Sequence, residues 1–396
     1  MDLKEKIKQL AADYFKDIVE VRRQLHRNPE LSFEETGTSA YIQHLLRKEG
    51  IPFRHGFVNT GIIARIEGRS GKRVIALRAD MDALPILEKN DLSFKSANEG
   101  RMHACGHDLH MASLMGAGKI LNTLRDSFEG TVLLVFQPAE EKLPGGASMM
   151  LQEGAFGEYL PDLVIGQHVM PLLEAGKVGY RPGVYMASSD EIYITVKGRG
   201  GHAAMPHQLT DTVLTAAHII VALQQIVSRN ANAAIPSVLS FGKVVAPGAT
   251  NVIPGEVKIE GTFRTMNEAW RKEAHERIKK IAYSVAESMG ATCDVEILTG
   301  YPVLSNHEAY TRKAAEYSGQ LLGSAQVVDL DLRMTSEDFA YFSQHFPAIF
   351  YRFGTTDPEG RYTSPLHSDT FMADENALHT AMSNLSWLTV CFLKEV

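Results

Sequence analysis

The run Thr131-Val-Leu-Leu-Val-Phe-Gln137 is apolar almost without a break and is bounded by turn residues. A strand with one wet face alternates polar and apolar side chains, so a continuous run of this kind reads as a strand buried on both faces. Shorter strand-like runs at Gly61–Glu67, Arg73–Ala79 and Leu163–Gly166 alternate with helical stretches, Ala112–Leu124 among them. Strands interleaved with helices predict an α/β fold on a mostly parallel sheet, and ligands bind such sheets outside the carboxyl ends of the strands. Three of those ends carry ionisable groups: Asp80 and Asp82, Glu140 and Glu141, and His168. Gly68-Arg-Ser-Gly-Lys72 lacks the spacing of a phosphate loop and is expected to close a hairpin between the first two runs.

The same rim should hold Met102-His-Ala-Cys-Gly-His-Asp-Leu-His-Met-Ala112, where three imidazoles and a thiol fall between His103 and His110. Cys and His suit zinc and its transition-series neighbours, and Gly106 lets the backbone fold so that Cys105 and His107 converge. Taken alone the stretch also reads as a loop holding some of the chain's 15 histidines, because one Cys-x-His is no zinc signature. Glu140 and Glu141 are neighbours in an extended segment and point opposite ways. One can ligate a metal while the other acts as general base; a solvated acidic turn is the plainer reading. His168 and His367, the latter in Pro365-Leu-His367-Ser before the last helix, are the remaining candidate donors.

At 396 residues two domains are expected. From about Gly183 the pattern becomes strand Glu191–Lys197, helix Asp211–Arg229, strands Ser237–Val245 and Val257–Arg264, helix Asn267–Met289 and strand Thr292–Leu298. That order, βαββαβ, is a split-βαβ unit. Residues 184–298 are therefore expected to form an inserted α+β domain, with 1–183 and 299–396 making the main one. A net charge of -7 leaves no basic face for nucleic acid. The start, Met1-Asp-Leu-Lys-Glu-Lys-Ile-Lys8, is charged and unlike a signal segment, and no apolar run is expected to reach the roughly 20 residues of a membrane span. Cys105, Cys293 and Cys391 have no framework spacing, which points to free thiols and a cytoplasmic location.

Four ordered motifs closely resemble those of the M20 metallopeptidase family: His103-Ala-Cys105-Gly-His107-Asp-x-His110-Met, Pro138-Ala-Glu140-Glu141, Gly201-His202-Ala-Ala-Met-Pro206-His207 and Ser364-Pro-Leu-His367. The chain is most similar to the amidohydrolase subgroup of hippurate hydrolases, plant auxin-conjugate hydrolases and bacterial N-acyl-amino-acid deacetylases, over essentially its whole length. The resemblance implies a zinc-exopeptidase-like catalytic domain with an inserted ferredoxin-like dimerisation or lid domain. It implies two divalent metal ions per subunit (zinc, manganese, cobalt or nickel) held by Cys105, His107, Glu141, His168 and His367, with Cys105 bridging or bordering both. Glu140 is then the general base toward a metal-activated water. His202 matches the family's oxyanion donor, which in relatives reaches the other subunit's site. Asn251 and Arg264 match positions that hold the substrate's carboxylate end. One departure is visible: where many members read His-x-Asp, this chain reads Asp80-Met81-Asp82. Asp82 is then expected to orient a ligand, while Asp80 has no assigned role. Glu337 and Asp338 also fit a subgroup motif, either as supports of the ligands or as the acidic first turn of a helix. His103 and His110 recede to supporting or packing roles, and Met186, Met205 and Phe339 are candidate lining for the acyl pocket.

The expected activity is metal-dependent hydrolysis of an N-acyl amino acid (N-acetyl, N-benzoyl or similar) to a carboxylate and the free amino acid, N-acetyl-diaminopimelate being one specific case. The alternative is a dipeptidase or exopeptidase with the same machinery. A metal-independent thiol amidase with Cys105 as nucleophile is a different class. A non-enzymatic metal-binding protein is a third, and it leaves Glu140 without a task. The expected partners are a small molecule and a second copy of the chain in a homodimer or higher oligomer through the inserted domain, with no nucleic acid and no membrane.

Overall fold

A computed structural model describes residues 2–395. The chain divides into two compact units: Met1–Gly183 with Ser305–Asp331 and Asp338–Val396, and Val184–Leu304 with Leu332–Glu337. The pieces 299–304 and 332–337, expected in the main domain, thus fall to the smaller unit. The strand Thr292–Thr299 stays in register to the pair Thr299↔Asp190, and the second piece is stitched on by Arg333 N–H to the Tyr185 carbonyl and Ala187 N–H to the Thr335 carbonyl.

The larger unit holds an eight-stranded sheet in the order Phe53–Phe57, Gly61–Glu67, Glu129–Gln137, Arg69–Asp80, Leu163–Glu174, Ala348–Thr356, Val178–Tyr180 and Val327–Asp329. Its four central strands, Glu129–Gln137 to Ala348–Thr356, are parallel, and antiparallel pairs flank them. The expected hairpin at Gly68–Lys72 does not form, because Glu129–Gln137 lies between the two runs it would have joined. That central place explains the run's apolarity: Val132, Leu133, Leu134, Val135 and Phe136 are all 2 % exposed or less. Burying five such side chains stabilises the unit by roughly 10 kcal/mol, as much as the whole net stability of an ordinary domain. Helices Leu3–Arg27, His107–Thr123 and Ala377–Leu393 pack on one another and share one core with the sheet through Ile18, Leu25, Met111, Leu114, Leu385 and Leu388.

The smaller unit is an antiparallel sheet, Ser237–Val245, Glu256–Thr265, Asp190–Lys197 and Thr292–Thr299, carrying helices Thr212–Leu223 and Glu268–Ser288. Side chains of Asp211 and Asn267 accept from Leu214 and Trp270 N–H and start these helices. Contrary to expectation, Thr212–Asn230 is long and apolar enough to cross a membrane by length and composition. It carries aliphatic residues on two faces: Ala216, Ile219, Leu223 and Ile226 bury in this unit's core, while Val213, Leu214 and Val221 remain exposed.

Candidate metal centre

Gly106 sits at φ 80° and immediately precedes helix His107–Thr123. A Cβ there would lie 2.6 Å from Val169 Cγ2, so both the backbone angle and the space require glycine. The turn sets the Cys105 thiol 3.5 Å from His168 Nε2. His168 lies within its strand rather than at the end, because Leu163–Glu174 continues past the neighbouring strand, which stops at Asp80. The pairs Arg78↔Gly166 and Asp80↔Gln137 put Asp80, Gln137 and His168 at one level of the sheet.

Hydrogen bonds orient the imidazoles. His107 donates from Nδ1 to the Asp82 carbonyl at 2.8 Å, and His168 from Nδ1 to the Val169 carbonyl at 2.9 Å. Each ring thereby directs Nε2 away from the backbone, His107 Nε2 without a hydrogen-bond partner and His168 Nε2 against the Cys105 thiol, the orientation a metal-binding histidine needs. Glu141 Oε1 lies 3.8 Å from His107 Nε2 and 3.3 Å from His367 Nε2. His367 is held at φ 63° with its N–H on the Ala104 carbonyl at 2.9 Å. Metal–ligand bonds of 2.0–2.3 Å at tetrahedral angles put ligand atoms about 3.3–3.8 Å apart, the separations found here. His107 Nε2 and Glu141 Oε1 are moreover buried without a hydrogen-bond partner. The donors form overlapping triads, Cys105/His107/His168 and Cys105/Glu141/His367. This donor set, with Cys105 in both triads, fits divalent metal ions.

The electrostatics favour cations. Burial pushes the Cys105 thiol well above its ordinary range, and Glu141, Glu140 and Asp80 push it further. Burial opposes charge on His107, but Asp80, Asp82 and Glu141 outweigh it and raise the group to about 10.

Glu140 and Glu141 follow Ala139, a non-glycine residue at φ 52°. Asp82 clamps the pair: Oδ1 accepts from Glu140 N–H and Oδ2 from Glu141 N–H, both at 3.0 Å, and Ser32 Oγ donates to Oδ2 at 2.6 Å. Glu140 Oε1 accepts from Asp338 N–H at 3.4 Å. The Asp338 carboxylate accepts from Arg78 Nη2, Gln137 Nε2 and Ala147 N–H, which places it among the supports of this turn. Asp80 is occupied, taking Arg78 Nη1 at 2.7 Å and His110 Nδ1 at 2.6 Å. His110 Nε2 accepts from Val169 N–H, so both His110 nitrogens are spoken for. His103 is buried with both nitrogens unpartnered, and burial lowers it to about 4. Sequence reasoning missed Ser32, Glu35, Arg78 and Gln137. Arg78 carried a signal, being a charge inside an apolar strand; the other three did not.

In the smaller unit His202 pairs with Val252 across a short ladder, and Ala203 N–H donates to the Asn251 carbonyl, so His202 and Asn251 are close and both exposed. His202 Nδ1 accepts from Ala204 N–H at 3.1 Å, which leaves the ring proton on Nε2. Arg264 is half-buried and donates to the Met334 carbonyl and Ser336 Oγ. Of the three candidate pocket residues, Phe339 is fully buried, its ring 4.9 Å from Phe350, Met186 is buried, and Met205 is exposed.

The model of peptidase family M20/M25/M40 matches residues 76–385. The chain belongs to that family. An N-acetyl-L-cysteine deacetylase of Bacillus subtilis (strain 168) is 39% identical over 363 residues, 92% of this chain and 85% of that protein. An N-acyl-L-amino acid amidohydrolase of Geobacillus stearothermophilus is 42% identical over 305 residues, 77% of this chain and 82% of that protein. Among solved structures, the Bacillus subtilis YXEP protein, a dinuclear metal binding peptidase from the M20 family, superposes with a TM-score of 0.84 at 34% identity, covering 97% of this chain and 100% of that one. This M20 chain is a hydrolase acting on amide bonds.

Proposed function

We propose that this M20 hydrolase cleaves N-acyl amino acids to a carboxylic acid and the free amino acid, the chemistry named for its Bacillus and Geobacillus relatives. The observation that carries the reading is the division of roles on one clamped turn. Glu141 Oε1 sits among two imidazoles with no hydrogen-bond partner, and the adjacent Glu140 is buried beside them. Cys105, His107, Glu141, His168 and His367 would hold two divalent ions, whose Lewis acidity would lower the pKa of a water and polarise the amide carbonyl. Glu140 takes the proton from the attacking water and returns it to the leaving nitrogen, a role worth typically ~10²–10⁴-fold in rate. His202 donates from Nε2–H to the developing oxyanion. Arg264 and Asn251 hold the carboxylate of the amino-acid half, and Asp82 orients Glu140, Glu141 and His107.

A cysteine nucleophile works from an electropositive setting. Cys105 faces Glu140, Glu141 and Asp80, which favours the ligand role over the thiol amidase. The exposed Val213, Leu214 and Val221, with Val244 and Val245 on the edge strand Ser237–Val245, suit burial against a second copy of the smaller unit. A cytoplasmic location fits three unpaired thiols.

The test is a screen of N-acetyl amino acids, N-benzoyl amino acids and dipeptides with protein reconstituted in zinc, manganese, cobalt or nickel. The N-acyl amino acids should be hydrolysed, and EDTA should abolish turnover. Glu140→Gln should keep both metals and lose turnover. Activity surviving EDTA, or full turnover by Glu140→Gln, sinks the reading; cleavage of dipeptides alone replaces it with an exopeptidase.

A further inference from the structure

The segment Asn28-Pro-Glu-Leu-Ser-Phe-Glu-Glu35 joins the first two helices and belongs to neither. It is bonded instead to the metal-centre rim. Ala83 N–H donates to the Glu30 carbonyl at 2.8 Å, Leu31 bridges Ala83, and Ser32 Oγ reaches Asp82. Glu35 is fully buried, and a single oxygen, Oε1, accepts from Phe33 N–H at 3.0 Å and from Ala139 N–H at 2.9 Å. Its other oxygen accepts from Thr60 Oγ1 at 2.9 Å.

The two amides on Oε1 share an unusual property. Phe33 at φ 71° and Ala139 at φ 52° are two of five non-glycine residues with positive φ among those described. L side chains resist that region, so a residue stays there only where its surroundings over-determine it. Ala139 is the residue immediately before Glu140. Without an acceptor at its N–H, the Pro138–Ala139 step can relax toward ordinary backbone, and the two carboxylates that follow turn with it.

We propose that Glu35 is a positioning residue for hydrolysis: by holding Phe33 and Ala139 in left-handed backbone it fixes the turn that presents Glu140 and Glu141. The proposal rests on the roles given above to that pair. It adds that a carboxylate remote in sequence and touching neither substrate nor metal sets their geometry.

The experiment uses full-length protein loaded with zinc and compares Glu35→Ala, Glu35→Gln, Ala139→Gly and the double variant Glu35→Ala/Ala139→Gly. Supports of metal ligands typically contribute ~10–100-fold to affinity or activity. Glu35→Ala should therefore lose kcat in that range with KM little changed, and bind zinc more weakly by calorimetry. Glu35→Gln should lose several-fold less, because one carboxamide oxygen can accept both N–H groups while the nitrogen donates to Thr60 Oγ1. Glycine takes positive φ without strain, so Ala139→Gly should restore part of the kcat lost in Glu35→Ala. A folded Glu35→Ala with unchanged kcat and zinc affinity overturns the proposal, as does a double variant no better than Glu35→Ala. If Glu35→Ala does not fold, Thr60→Val, which removes only the Oε2 partner, should lower kcat several-fold; an unchanged kcat there also overturns the proposal. If wild-type protein hydrolyses no N-acyl amino acid, the functional reading fails, and the zinc affinities still decide the role of Glu35.

Discussion

Asp82→Asn tests the clamp with one atom changed. The carboxylate accepts three hydrogen bonds, from Glu140 N–H and Glu141 N–H at 3.0 Å each and from Ser32 Oγ at 2.6 Å. Asparagine keeps one acceptor oxygen and turns an NH₂ toward a backbone N–H, donor against donor. A charge-assisted bond is worth about 1.5–3 kcal/mol and an orphaned buried donor costs about 1–3 kcal/mol, so about 3–5 kcal/mol of stability should be lost. The pH dependence gives a second signature. Burial opposes charge on Asp82, but His107, Ser32 and the Glu141 N–H outweigh it and hold the carboxyl below its ordinary value. A carboxyl lowered in the fold stabilises above the unfolded value, about 3.9, and that contribution is lost as pH falls through the folded value. In metal-free protein the gap between Asp82→Asn and wild type should therefore be widest near neutrality and narrow below about pH 4. Urea denaturation from pH 3 to 8 measures this, and calorimetry with zinc should show a ~10–100-fold loss of affinity. A variant within 1 kcal/mol of wild type at pH 7 and with unchanged zinc affinity would refute the clamp.

Three further outcomes are expected. Arg78→Met leaves Asp80 and Asp338 without the guanidinium both contact at 2.7–2.8 Å in full burial, and should cost about 3–5 kcal/mol in chemical denaturation. Glu35 is raised from 4.5 to about 7, first by burial and then by the charge of Asp82. A raised carboxyl is costless below its unfolded value and penalises the fold increasingly up to its folded value. Metal-free Glu35→Gln should therefore match wild type near pH 4.5 and exceed it above pH 7 by at most about 3 kcal/mol, and equal melting temperatures at both pH values would contradict the burial argument. Val221→Glu, on the exposed aliphatic face of Thr212–Leu223, should shift the protein toward monomer in sedimentation, whereas an unchanged mass would place any interface elsewhere.

How much of the fold and site is legible in the sequence depends on what each residue does. Buried strands declare themselves by composition, since a run such as Val132–Phe136 has no other stable place, and the carboxyl-end rule then collects Asp80, Asp82, Glu140 and His168 at one rim. Strand neighbours are another matter. Gly61–Glu67 and Arg69–Asp80 are consecutive and read as a hairpin, yet Glu129–Gln137 separates them, because pairing is decided by the completed sheet and not by the connection. The boundary of the smaller unit departs from expectation for a similar reason: Leu332–Glu337 joins it through backbone bonds that leave no pattern in side chains.

Within the site the division is chemical. Cys and His are uncommon and coordinate metals through their own atoms, so Cys105, His107 and His168 stand out by residue type alone. The residues that hold them act through ordinary hydrogen bonds. Ser32, Glu35, Gln137 and Asp338 are residue types found on any protein surface, and their meaning lies in the partner each one bonds: an N–H for Glu35, Gln137 and Asp338, the Asp82 carboxylate for Ser32. Asp80 is of this second kind. The sequence left it without an assigned role; Arg78 and His110 occupy both its oxygens, and it holds the imidazole whose other nitrogen receives Val169 N–H beside His168. The consequence can be checked by measurement: substitutions at Cys105 or His107 should remove metal outright, whereas those at Asp82, Arg78 or Glu35 should leave metal bound more weakly and the turn of Glu140 misplaced.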